Sequence, residues 1–215
     1  MALDTLASGE PAVFLSASIP MPGRDKIYLE SADVIAIREC IKALVAVTIP
    51  KFTLIWGGHP SITPLIRLLA ESHPKDVVDH FVLYQSTVFK TIAPKDNEFF
   101  RRVIWVEGAE YGAKDLAGSL DILRRRMITE PNYVAGIFVG GMEGIENEFD
   151  LFLKVRPKIP AFPIASTGGA AGILFDKWRE PLSLKADLKT EVAYPYLFRR
   201  LLDIPATRPE SPRFR

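Results

Sequence analysis

The stretch Gly140-Gly141-Met142-Glu143-Gly144-Ile145-Glu146-Asn147-Glu148 combines two features that suit a phosphorylated sugar. Glycines at the start of a helix let backbone N–H groups approach an anion, and the helix adds its positive end. A carboxylate about one turn further on can hold a ribose hydroxyl or act as a general base if it is partly desolvated. At about 100° per residue, Ile145, Phe149 and Phe152 share a buried face, while Glu143, Glu146 and Asp150 lie on the opposite, solvated side. Glu148 falls at the edge of the buried face, beside Gly141 and Gly144, which leave space next to it. The same spacing also fits a surface glutamate whose stem lies along the core edge.

Other short polar stretches follow apolar runs in the same way. They are Ser16-Ala17-Ser18, Gly57-Gly58-His59, Gln85-Ser86-Thr87 and Ser166-Thr167-Gly168-Gly169. Ser16, Ser18, Gly57, Gly58, His59, Gly140, Gly141, Met142, Glu143, Gly144, Ser166 and Thr167 are therefore candidate ligand-binding residues. Glycines after strands are equally at home as plain turn residues. Arg124-Arg125-Arg126 closes the preceding helix. Three cations there are favourable on dipole grounds alone, or one or two of them reach a phosphate. The apolar stripe flanks itself with Arg124 and Arg126 and points Arg125 outward, which does not decide between them. His59, His73 and His80 have no zinc-site spacing, so no metal is expected.

The elements that must position these groups are legible as apolar runs. Ala12–Leu15, Phe52–Trp56, His80–Tyr84, Arg102–Val106, Tyr133–Val139 and Ala161–Ala165 read as strands. Helical spacing marks Ala32–Ile49, Ser61–Ser72, Asp115–Thr129, Gly144–Val155, a small helix after Gly169 and a last one over Leu188–Leu202. Ser31 is placed as the cap of the first helix, with Asp33 in its first turn. Pro94 to Glu98 is read as a polar connection. Strands alternate with helices and are continuously apolar. The expectation is an α/β fold, a doubly wound, mainly parallel, Rossmann-like sheet covered on both faces. Its single domain takes in residues 1–215, with a core over 12–203 and a flexible tail over 206–215. In such sheets ligands bind beyond the carboxyl ends of the strands.

Composition narrows the function classes. Lys plus Arg is 27 and Asp plus Glu is 26, a net charge of +1 that gives no support to nucleic-acid or membrane-surface binding. Cys40 is the only cysteine and sits within helical spacing, which suggests buried packing and a reducing, cytoplasmic setting. The first residues carry no basic run and are not read as a signal peptide. Neither glycine pair fits the dinucleotide G-x-G-x-x-G or the P-loop, which argues against an ordinary NAD dehydrogenase or P-loop ATPase, and no cofactor is expected.

Gly140-Gly141-x-x-Gly144-x-x-x-Glu148 resembles the Gly-Gly-x-Gly-Thr-x-x-Glu motif of the SLOG superfamily, the Lonely Guy and DprA-like Rossmann-fold proteins. Arg124-Arg125 lies upstream at about the distance of their Arg-Lys pair. Phe14–Ser18 and Ile55–Gly58 are similar to the superfamily's first strand and second glycine site. The combination looks most similar to the stand-alone SLOG proteins of bacterial conflict systems. There are departures: one extra residue between the second and third glycines, Ile145 where a Thr is expected, and Arg for Lys. The resemblance implies a nucleotide-derived ligand, a homodimer or higher oligomer, and a separately encoded effector in anti-phage signalling. The altered motif favours binding or sensing. The alternative it implies is an N-glycosidic phosphoribohydrolase, with Glu148 and Arg124 catalytic and Arg124 or Arg125 on the 5′-phosphate. A catalytically silent oligomerisation domain is a third option.

Overall fold

Continuous apolar runs can bury both faces only inside a sheet sandwiched by helices, and the chain does this. The computed structural model describes residues 9–23, 26–109, 115–178 and 182–203. Six strands form one sheet: β1 (Pro11–Ser18), β2 (Thr53–Trp56), β3 (Phe81–Ser86), β4 (Arg102–Val106), β5 (Asn132–Gly140) and β6 (Ala161–Ile164). The order is β4-β3-β2-β1-β5-β6, and every pairing is parallel. The chain builds outward from β1 to β4, then crosses back to lay β5 on the other side of β1. The switch in strand order therefore falls between β1 and β5, where Ser18 pairs with Gly140. All six expected strands are present, with ends within two residues except at β1, which runs three residues past Leu15 to Ser18.

The helices are α1 (Lys26–Ser31), α2 (Val34–Thr48), α3 (Thr63–Glu71), α4 (Leu116–Thr129), α5 (Glu143–Val155), α6 (Gly169–Lys177), α7 (Leu182–Thr190) and α8 (Tyr194–Leu201). Two expectations are corrected. Ser31 does not cap α2. Asp33 does, accepting from the Ala36 N–H at 2.9 Å, while Ser31 ends α1 and its Oγ accepts from the Gly169 N–H. The carboxylate is one bond longer than the serine hydroxyl and stands two positions nearer, so it reaches the orphan donor. The single helix expected over Leu188–Leu202 is two helices, because Pro195 at the start of α8 forces a new helix start after Ala193. The expected tail, 206–215, lies outside the described residues.

Under α5 the core is aromatic. Phe14 of β1 stacks on Phe152 with ring centroids 5.5 Å apart, and Phe138 of β5 meets Phe149 edge-on at 4.9 Å. These rings hold α5 against the end of the sheet where Ser16 and Glu148 must meet. Cys40 is fully buried in α2, and burial pushes its thiol well above its usual range, as expected of a packing residue. Among the described residues no helix is long and apolar enough to cross a membrane.

Candidate ligand-binding site

Beyond the carboxyl ends of β1, β2 and β3 lies a cavity of about 380 Å³. This is within the ~300–1,000 Å³ range of small-molecule sites. Its floor is the polar end of β1, Ser16 to Ser18, and the turn Gly57-Gly58-His59 after β2. Its walls are the first turns of α5, the inner face of α4, and the connection from β3 to β4.

Glu148 is the chemical centre. Ser16 Oγ donates to its Oε2 at 2.6 Å, and Arg124 Nε approaches Oε1 at 3.5 Å. Both charged side chains are about one-fifth exposed. Loss of water pushes the Glu148 carboxyl above the usual carboxylate range; the Ser16 hydroxyl and then the Arg124 charge pull it part of the way back. A Cβ at Gly144 would sit 3.4 Å from Arg124 Nη2, an ordinary contact distance, so the guanidinium packs directly beside this glycine. The space expected beside Glu148 is thus occupied at Gly144 by the guanidinium. At Gly141 a Cβ would meet Ile145 instead of a ligand.

The α5 N-terminus opens on the same cavity. Its cap residue, Met142, offers no side-chain hydrogen bond, and Met142 and Gly144 line the wall. The Ile145 N–H is taken by the Met142 carbonyl at 2.8 Å, and the first-turn N–H groups ahead of it, which have no partner within the helix, are donors for an anion or water. His59 is held in place by its turn. Its Nδ1 accepts from the Ser61 N–H at 3.2 Å and lies 2.8 Å from Ser61 Oγ, an arrangement that assigns the ring proton to Nε2.

The candidates divide clearly by position. Ser16, Ser18, Gly57, Gly58, His59, Arg124, Met142, Gly144 and Glu148 converge on the cavity. Gly140, Gly141, Glu143, Ser166, Thr167 and Arg125 do not line it. Arg125 is exposed on the outer face of α4 and pairs with Asp121 at 2.6 Å. Arg126 likewise pairs with Glu130. Gly140 and Thr167 are tied to each other, the Gly140 N–H donating to Thr167 Oγ1 at 2.9 Å. Ser166 Oγ lies 3.1 Å from the Tyr194 hydroxyl. Glu146 is not simply solvated: Tyr28 donates to it at 2.6 Å and Lys177 reaches it at 3.2 Å.

The cavity also has lining that the motifs did not indicate. Phe89, Ile92, Ala93 and Pro94 come from the β3–β4 connection, and Leu120 and Leu123 from α4. The available signal was Phe89 and Ile92, two large apolar residues just ahead of the stretch Pro94 to Glu98 that reads as polar.

Comparison with known families agrees with the geometry. The model of the SLOG cluster3 family matches residues 27–202, which takes in every cavity residue except those on β1. No curated protein matches the chain. A parallel Rossmann-like sheet carrying a cavity at its switch point, together with a family match over most of the sequence, leads to one assignment: the chain belongs to the SLOG cluster3 family, a nucleotide-related Rossmann-like domain.

Proposed function

We propose that the cavity binds a small nucleotide-derived ligand and that the protein acts as a binding or sensing module for it. One observation carries this: Ser16, Arg124 and Glu148, from three separate elements, converge in a single cavity at the β1/β5 switch. A carboxylate and a hydroxyl side by side suit vicinal ribose hydroxyls. Arg124 and the open first turn of α5 suit the phosphate. Among the described lining residues Glu148 is the only carboxylate. The paired acid and base typical of glycoside hydrolysis is therefore missing there, which favours binding over cleavage.

One feature favours a second reading, the phosphoribohydrolase. A carboxyl held above its ordinary range and 2.6 Å from a hydroxyl is suited to proton transfer. In that reaction water adds to C1′ of the ribose, Glu148 takes the water's proton, and the C1′–N bond breaks. The bond's electron pair goes to the base, and the proton held by Glu148 passes to the departing base, which returns Glu148 to its carboxylate. Incubation with nucleoside 5′-monophosphates, with free base and bound ligand measured together, separates the two. Binding without base release is the expected result. Base release that is lost in Glu148→Gln would establish the hydrolase instead.

Three further parts complete the proposal, the first resting on the lone cysteine Cys40 and the other two on the family likeness. The protein is cytoplasmic, assembles as a homodimer or higher oligomer, and passes its signal to a separately encoded effector in bacterial anti-phage defence. Light scattering tests the assembly; a monomer at micromolar concentration contradicts it.

A further inference from the structure

The cavity is chemically lopsided. Its charged groups, Glu148 and Arg124, stand by β1 and α5, whereas the β3 side is walled by Phe89, Ile92, Ala93, Pro94, Leu120 and Leu123. One side-chain amide interrupts that apolar side, Gln85, at the end of β3 and only 4% exposed. Its orientation is fixed from two directions. Oε1 accepts from the Ser86 N–H at 3.1 Å, and Nε2 donates to the Gly58 carbonyl across a long 3.4 Å. Gly58 has φ +67°, and a Cβ there would lie 2.7 Å from Nε2, so the turn is built close around this amide. A glutamine amide has two N–H donors and two acceptor lone pairs. These two bonds use one of each, leaving one donor and one acceptor on an amide that lines the cavity.

From this we infer that Gln85 is the specificity-determining residue of the site, reading the edge of a planar base seated in the apolar arm and selecting adenine over guanine. The inference rests on the reading that the cavity takes a nucleotide. Sheet order places β3 two strands from β1, about 10 Å at roughly 4.8 Å per strand. That is the order of the span from ribose hydroxyls at Ser16 and Glu148 to the far edge of an attached purine. The choice between purines follows from counting polar groups. Adenine presents one adjacent acceptor and donor on its edge, which a single amide satisfies. Guanine presents O6, N1–H and an additional amino group, and one amide among apolar side chains leaves part of that edge without partners. Each buried unpartnered group lowers affinity by about tenfold.

The test is calorimetric titration of the full chain with AMP, GMP and purine riboside 5′-monophosphate. The expected order is AMP at least tenfold tighter than GMP, with purine riboside monophosphate weaker than AMP for want of the exocyclic amine. In Gln85→Leu the AMP preference should fall to within about threefold. In Gln85→Glu, which keeps the acceptor for the Ser86 N–H, it should shift toward GMP. Equal wild-type affinities for the three ligands overturn the inference while leaving the nucleotide site standing, and this comparison needs no variant to fold. An AMP preference unchanged in both variants assigns the discrimination to other residues and overturns it too. No binding of any of the three overturns both the inference and the nucleotide reading beneath it.

Discussion

Two strand ends of this molecule look alike in sequence and are put to opposite uses. After β5 comes Gly140-Gly141 and then α5; after β6 comes Ser166-Thr167-Gly168-Gly169 and then α6. The first region gives its helix start, through Met142 and Gly144, to an open cavity. The second is filled by the chain itself. Thr167 is fully buried, its hydroxyl donating to the Ile164 carbonyl and accepting from the Gly140 N–H. Its carbonyl accepts from the Asp33 N–H, and the Gly169 N–H is taken by Ser31. Small residues after a strand thus mark a place where something approaches the backbone closely. They do not say whether that is a ligand or the end of α1.

The largest expected effect is at the closed end. Gly168 has φ +66°, and a Cβ there would lie 1.8 Å from the Ser31 carbonyl oxygen, so Gly168→Ala combines backbone strain with a clash against main chain. A loss of roughly 3 kcal/mol or more is expected in urea denaturation. A variant as stable as the wild type would mean that α1 does not close this end.

At the open end the balance reverses. Arg124→Ala should weaken nucleotide binding by about tenfold to a hundredfold, the range for charge-assisted hydrogen bonds. Arg125→Ala should leave affinity within twofold, since its partner is Asp121 on the outer face. Equal losses in the two variants would contradict the placement of the phosphate at Arg124.

Glu148→Gln sharpens the comparison through pH. Desolvation raises the folded-state value of this carboxyl above its unfolded one. Its favourable contribution is therefore complete below the ordinary glutamate range and is lost as pH rises through the raised value. Thermal melts should show the glutamine variant gaining stability over the wild type as pH rises from about 4, the ordinary glutamate range, through the raised value. A gap that stays constant with pH would mean that the site is wet.

The smallest effect belongs to Ser166→Ala. One part-buried hydrogen bond to Tyr194 is lost, about 0.5–1.5 kcal/mol, with nucleotide affinity unchanged. A change in affinity would reopen this end as part of the site.

The strands and their parallel pairing were legible because buried strands are written as unbroken apolar runs. The face of α5 was legible too, since Ile145, Phe149 and Phe152 repeat with the helix and are all buried. Strand order was not, because nothing local in β4 or α4 says that the chain must return past β1 to place β5. The arginines were ambiguous for a similar reason. Arg124 and Arg126 flank one stripe symmetrically, and only the packing of α4 beside α5 turns the first toward Glu148 and leaves the second with Glu130. The apolar arm was hidden because Phe89 and Ile92 sit in a connection without helical or strand periodicity. Gln85 ends its strand as an ordinary polar residue would.

The most direct test of the central claim is a map of backbone amide shifts, by heteronuclear NMR, during titration with AMP. The account predicts shifts concentrated at Ser16 to Ser18, Gly57 to His59 and Met142 to Gly144, with Ser166 to Gly169 unmoved. Shifts centred on Ser166 to Gly169, or none at the α5 start, would contradict it.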